Sequence, residues 1–317
     1  MKKQYDIVGN RKKFFIFSGV LILAICAFSL IFGVQMDIQF KGGAMLTYSY
    51  TGTIDEKTIA DEAKAAFSGN VSTQTGSDIA THTQTITITL PGTETVNTAE
   101  VEAFGAKLSA EYGANHFSQL SMNNVNPTMG KEFFAKCVFA VVLASLLILG
   151  YIAIRFRKIG GWPAGSMAVV ALVHDLIVIF GVFVIARIPL NSNFIAAALT
   201  ILGYSINDTV VIYDRVRENR QLYGNSMDFG TLVNLSINQS LRRSINTTVS
   251  TILALGTVCV VSGIYGLSSI FTFAFPLIIG MISGVYSTVF IAGPLWVEWE
   301  NFKVRRLQKG APKKKKA

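Results

Sequence analysis

The sequence predicts a polytopic α-helical membrane protein: six transmembrane helices, with one small α+β domain outside the bilayer between the first helix and the second. Three observations carry that expectation. Hydrophobic residues make up 51% of the 317 and charged ones only 15%, too apolar for an ordinary soluble domain. Apolar runs of about 20 residues, the length that spans a bilayer core, recur along the chain. The net charge of +9 gathers beside alternate apolar runs. Lys2, Lys3, Arg11, Lys12 and Lys13 precede the first run, and Arg155, Arg157 and Lys158 follow the second. Arg215, Arg217, Arg220, Arg242 and Arg243 lie between the fourth and fifth, and a basic tail runs from Lys303 to Lys313–Lys316. This alternation is the positive-inside pattern and places both termini in the cytoplasm. It is a different pattern from a basic nucleic-acid face, so no nucleic-acid partner is expected.

Residues 1–13 read as a cytoplasmic basic N-terminus and 14–34 as the first span, from Phe14 to Val34. The charge order matches a signal peptide, but the run is longer than an h-region and lacks a small-x-small exit. Ile25 before Cys26 argues against a lipoprotein site, so the helix is expected to stay uncleaved. Cys26, Cys137 and Cys259 all sit in apolar spans and have no disulfide or metal spacing.

Residues 35–131 turn rich in Thr, Ser, Asn and Gly, and acids outnumber bases. Strands are expected at Ala44–Tyr50, Val71–Thr75, Thr83–Leu90 and His116–Val125, the third alternating as Thr85-Ile86-Thr87-Ile88-Thr89-Leu90. Helices are expected at Ile54–Phe67 and Thr98–Tyr112. The order β-α-β-β-α-β is that of a ferredoxin-like unit, placed extracytoplasmic because the first helix starts inside. Just before it, Asp37, Phe40, Lys41, Gly42 and Gly43 form a compact motif whose glycines permit a backbone turn. It reads as a hinge between membrane and domain.

Residues 132–297 then form a five-helix membrane domain. Its spans are Phe133–Ile154, Ala164–Ala186, Ser192–Tyr213, Ile245–Tyr265 and Phe271–Val297, with a mixed-charge cytoplasmic connection, helical in part, over 214–243. Residues 298–317 close the chain as a cytoplasmic tail near anionic lipid.

Asp208 is the residue that needs a reason. A charged side chain in hydrocarbon costs roughly 2.5–3.5 kcal/mol on insertion scales, and ion or proton handling is the default explanation. On the fifth span Arg243 heads a stripe with Asn246, Thr247, Ser250 and Thr251, at offsets that share one helical face. Burial disfavours an ionised Asp208 while a nearby guanidinium favours it, so helix motion can switch its charge. On the third span His174 beside Asp175 is either a second proton carrier or a structural pair. Asn207 adds polarity next to Asp208. Gly280, Gly284, Ser283, Ser287 and Gly203 read as small residues for close helix packing. The chain shows no phosphate loop, catalytic triad or metal cluster, so an ATPase or other enzyme activity is not expected.

Gly203-Tyr204-Ser205-Ile206-Asn207-Asp208-Thr209-Val210-Val211, followed by Asp214-Arg215-Val216-Arg217-Glu218-Asn219, resembles the fourth span of SecF in the SecD/SecF family of protein-export membrane proteins. That family belongs to the resistance–nodulation–division (RND) superfamily. Leu172-Val173-His174-Asp175-Leu176, the run from Ile237 to Ser244 and Asp37–Gly43 resemble the same family, though Met36 stands where typical members have Gly. Arg243 aligns with the family's arginine, with Arg242 beside it. The resemblance implies a subunit of the bacterial inner-membrane export machinery that works with SecD and the SecYEG channel. It implies a SecA-driven preprotein, YajC as a further partner, and the proton-motive force as energy source, with no cofactor. Two alternatives stay open: half of an RND-type small-molecule exporter, or a purely structural assembly subunit.

Overall fold

A computed structural model describes residues 4–67, 71–77, 84–91, 96–224, 226–265 and 267–310. Lys2, Lys3, the predicted strand start Thr83 and the closing Lys313–Lys316 lie outside them. In chain order the elements are α1 (Arg11–Phe32), the short α2 (Ile38–Lys41), β1 (Gly43–Tyr50), α3 (Glu56–Phe67), β2 (Ser72–Ser77), β3 (Gln84–Pro91), α4 (Thr98–Glu111) and β4 (Ser118–Val125). The membrane helices α5 (Pro127–Arg155), α6 (Gly161–Ile185), α7 (Ser192–Tyr223) and α8 (Phe229–Ile264) follow, then α9 (Ser268–Ser287) and α10 (Gly293–Gly310) joined by a π-helical turn over Thr288–Ala292.

Six of these stretches are long and apolar enough to cross a bilayer: α1, α5, α6, α7, α8 and the continuous Ser269–Leu307. They divide into two rings. The apolar windows of α6, α7 and Ser269–Leu307 are 56%, 50% and 61% buried, whereas those of α1, α5 and α8 are 11% buried. The first three are therefore the centre of the bundle, and the others leave most of their apolar surface uncovered by this chain. Trp296, Tyr213 and Phe156 fill the core at the basic end, where Ile7 and Val8 of the N-terminal strap also pack. Asn234 Oδ1 accepts from the Ile7 and Val8 backbone N–H groups at 2.9 and 3.2 Å, and Arg11 pairs with Glu298 at 3.0 Å.

Three boundaries differ from the sequence expectation, each for a local reason. The second membrane helix starts at Pro127 instead of in the 130s, because Asn126 caps it by accepting from Thr128 N at 2.9 Å and Pro suits the first helical position. The connection expected over 214–243 is almost wholly helical, leaving only residues 224–228 between α7 and α8. Its polar side chains bond across the two helices: Arg215 and Asn219 both donate to Gln239 Oε1, at 2.6 and 2.8 Å, and Asn219 also donates to Ser236 Oγ at 2.8 Å. The last span is interrupted by the π-helical turn, with Pro276 inside α9.

Between α1 and α5 in sequence lies a four-stranded antiparallel sheet in the order β2-β3-β1-β4. Alternation puts Ala44, Leu46, Tyr48 and Tyr50 of β1 and Ile86, Ile88 and Leu90 of β3 on one buried face. Ile59, Ala63 and Phe67 of α3 and Val101, Phe104 and Leu108 of α4 cover that face at helical spacing.

The sheet is held to the membrane bundle by α2. Asp37 caps it through Gln39 N at 3.0 Å, and the Asp37 backbone N–H donates to Leu190 O at 3.0 Å in the α6–α7 turn. Phe40 is buried against Phe133 and Phe134 of α5. Gly42 has φ +78°, and a Cβ there would meet Pro127 Cα at 2.4 Å, so only glycine fits on both counts.

Candidate functional site

Asp208 lies halfway along α7, 4% exposed, and its Oδ2 has no hydrogen-bond partner. Facing it from α8 are Ser244, whose hydroxyl bears on the carboxylate, and Arg243, whose charge does. Arg243 also lines a cleft of about 580 Å³ between α7 and α8, together with Val210, Asp214, Gln239 and Ser240. Arg242 points elsewhere, into a second cleft with Tyr5, Asn238 and Ile245. Of the two adjacent arginines, Arg243 is therefore the one on the Asp208 side.

The predicted polar stripe is not brought to this point. Asn246, Thr247 and Ser250 are exposed and Thr251 half-buried. Thr247, Ser250 and Thr251 each bond the carbonyl four residues back on their own helix, Arg243 O, Asn246 O and Thr247 O, at 2.9–3.0 Å. Asn207 is exposed on α7. The α8 face turned inward is instead Ser236, Ser240, Ser244 and Thr248, all buried. Thr248 Oγ1 bonds Tyr204 OH at 2.9 Å. Their strict four-residue spacing was a legible signal for a helix face.

Asp175, with no exposed surface, is the centre of a second polar cluster. Its Oδ2 accepts from Ser205 of α7 at 2.8 Å and Ser287 of α9 at 2.6 Å, and its Oδ1 from Ser283 of α9 at 2.6 Å. His174 Nδ1 stands 3.3 Å from Oδ1, while its Nε2 has no partner. The His174 ring packs on Tyr286, whose hydroxyl reaches Phe14 O at 2.9 Å and Ser18 Oγ at 3.0 Å on α1. Thr288, the first residue of the π-helical turn, bonds Thr209 at 3.0 Å. One carboxylate thus ties α6, α7 and α9 together.

Ser283 and Ser287 had been expected only to ease helix packing; their hydroxyls are donors to Asp175. Gly280 and Gly284 are packing residues in fact: a Cβ would approach Ile201 at 2.8 Å and Ser205 at 3.2 Å. Gly203 is not, since nothing lies within 4 Å of its Cβ position. Among the described residues no hydrogen bond joins Asp208 to His174 or Asp175, so the four expected relay residues fall into two sets on either side of α7. No three His, Cys, Asp or Glu side chains among the described residues are grouped to hold a metal ion.

Outside the spans, the Asp37 carboxyl in the α2 joint is pushed up by burial, against the pull of the Gln39 and Ile38 N–H groups. Lys41 of the same motif is exposed.

The profile of the family described as "Protein export membrane protein SecD/SecF, C-terminal" matches residues 105–302. A protein translocase subunit SecF from Thermobaculum terrenum is 33% identical over 307 residues, covering 93% of this chain and 94% of the relative. One from Alicyclobacillus acidocaldarius is 30% identical over 314 residues, covering 98% and 97%. The protein translocase subunit SecDF of Bacillus subtilis is 31% identical, covering 96% of this chain and 39% of the relative. The solved structure of SecDF from Thermus thermophilus, a translocon-associated membrane protein, superposes with a TM-score of 0.79 at 26% identity, covering 95% of this chain and 39% of that one. The chain thus spans about two fifths of the SecDF proteins and nearly the full length of the SecF relatives.

Proposed function

The chain belongs to the SecD/SecF family of protein-export membrane proteins, and from that premise we propose that it couples the proton-motive force to a late step of preprotein translocation. It is a multi-pass membrane protein of the Sec pathway, and its work is mechanical, with no ATPase step. The observation that carries the proposal is Asp208: a nearly fully buried carboxylate in the fourth span, its Oδ2 unpartnered, with a permanent cation on the neighbouring helix.

Arginine stays protonated throughout, so Arg243 is the fixed charge and Asp208 the titrating one. The cleft lined by Arg243, Ser240 and Asp214 opens the Arg243 side of the α7–α8 contact at the basic end of the bundle. Proton arrival removes the attraction between α7 and α8. Proton departure restores it. One proton falling through 100 mV supplies roughly 2.3 kcal/mol, enough to bias two helix packings about fiftyfold. Motion of α7 is transmitted outward through the α6–α7 turn, which is bonded to Asp37 at the base of the sheet domain. The Asp175 cluster holds α6, α7 and α9 as one body, against which α8 moves.

The β-α-β-β-α-β order with its β2-β3-β1-β4 sheet supports a ferredoxin-like domain between the first and second spans. The basic residues at the opposite ends of the helices support an outer placement for that domain and cytoplasmic termini in the bacterial inner membrane. The fused SecDF relatives support SecD as a second half that this one works with. On this reading the further partners are the SecYEG channel, the preprotein driven by SecA, and YajC, and no cofactor is needed. The test is export in cells whose only copy carries Asp208→Asn. Normal assembly with SecD together with slowed preprotein release supports the proposal, and normal release refutes it.

A further inference from the structure

The cleft at the corner between α5 and α6 has a composition that the translocation reading does not use. We propose that it binds an anionic membrane phospholipid, the phosphate held by Arg157 and Lys158 and the acyl chains laid along α5. The cleft encloses about 600 Å³ and is lined by Arg155, Arg157, Lys158, Trp162, Arg217 and Gln221, with Gly150 and Ile154 on its apolar side.

The charges there are unevenly satisfied. Arg155 and Arg217 share one oxygen of Asp214, at 3.2 and 2.7 Å. Arg157 and Lys158, in the 3-10 turn over Arg157–Ile159, have no carboxylate within ion-pair distance among the described residues. Asp214 answers two of the four cations and Glu300 stands at the same corner, its Oε1 3.7 Å from the Cβ position of Gly160, so four cations against two carboxylates leave two positive charges around one opening. Gly160 turns the chain at φ +94°, and Gly161 presses so close to α5 that a Cβ would sit 2.2 Å from Ala153 O. The tight corner fixes the two unpaired cations beside Trp162. That indole is 67% exposed in the first turn of an apolar span, the position where an amphipathic ring sits at the bilayer surface.

A lipid, and not a free anion, is indicated by what adjoins the charges. Leu147, Tyr151 and Ile154 are 65%, 52% and 80% exposed and lie on one face of α5, running from the cleft into the hydrocarbon zone. Gly150, between them, has nothing within 4 Å of its Cβ position and leaves a groove in that face. Basic pockets between membrane helices with such flanks take phospholipid headgroups.

The experiment uses the full chain in detergent, titrated with phosphatidylglycerol, phosphatidylcholine or inorganic phosphate and read by native mass spectrometry. Phosphatidylglycerol is expected to be retained over phosphatidylcholine. Arg157→Gln/Lys158→Gln is expected to weaken its retention about thirtyfold. Gly150→Leu, which fills the groove, is expected to weaken it without altering the charge. Lys12→Gln/Lys13→Gln removes the same charge from another exposed site and is expected to change nothing. Equal loss in the Lys12/Lys13 variant, displacement of the lipid by millimolar inorganic phosphate, or full retention in the Arg157/Lys158 variant would each overturn the site.

Discussion

Replacing Asp175 with alanine removes the single acceptor that three serine hydroxyls share. Ser205, Ser283 and Ser287 reach it from two helices at 2.6–2.8 Å, in a site with no water-exposed surface. An interhelical hydrogen bond in a membrane protein contributes about 0.6 kcal/mol on average, and charge assistance roughly doubles it. Three such bonds come to about 2–4 kcal/mol. Part of this is recovered because Ser287 already has an alternative acceptor in Gly284 O at 3.1 Å. Asp175→Ala is therefore expected to lose about 2–3 kcal/mol, while Asp175→Asn, which keeps an acceptor, is expected to lose about 1 kcal/mol. Unfolding of the purified chain in mixed micelles, followed by tryptophan fluorescence, measures both, since Trp296 is fully buried in the same bundle. An Asp175→Ala variant as stable as the parent would mean that the hydroxyls re-pair on their own helices. The clamp holding α6, α7 and α9 as one body would then be lost from the account.

Three smaller tests follow from groups outside the spans. Burial raises the Asp37 carboxyl, so the ionised form is disfavoured in the folded joint. The joint is accordingly most stable below the ordinary carboxylate range and weakens as pH rises toward the raised value. Asp37→Asn should abolish that dependence in thermal melts and Asp37→Ala should lose about 1 kcal/mol with the cap. Residues 36–130 expressed alone should give a folded α+β circular dichroism spectrum, because the sheet and its two helices bury a continuous core. Within that fragment Tyr112 should titrate at about 12, chiefly because its hydroxyl donates to Glu62 at 2.7 Å. Its stabilisation is present below pH 10 and lost as pH rises through the raised value, and ultraviolet titration of Glu62→Gln should show the phenol returning toward 10.0.

The spans were legible because twenty apolar residues in a row have few alternatives. The sheet was legible because Thr85–Leu90 alternates so cleanly. The helical ends of α7 and α8 were legible only in part, since mixed charges do not show how far each helix runs until Arg215 and Asn219 are seen bonding Gln239. The orientation of α8 failed for a related reason. Two polar stripes run along it, and periodicity finds both without saying which one faces in. The stripe of Asn246, Thr247 and Ser250 stays exposed, and the one through Ser244 and Thr248 is buried. Asp208 stood out because a lone carboxylate in a span is costly by itself. The serine partners of Asp175 did not, because a hydroxyl among small residues reads as packing until a carboxylate on another helix is placed against it.

The central claim is that protonation of Asp208 beside Arg243 drives export. The direct measurement is the rate of preprotein translocation in proteoliposomes containing this chain, SecD, SecYEG and SecA, with and without an imposed proton gradient. The parent should be accelerated by the gradient. Asp208→Asn should assemble and translocate at the gradient-free rate under both conditions, and Arg243→Lys should keep part of the acceleration. Full acceleration of Asp208→Asn by the gradient would contradict the claim and leave the carboxylate a structural residue.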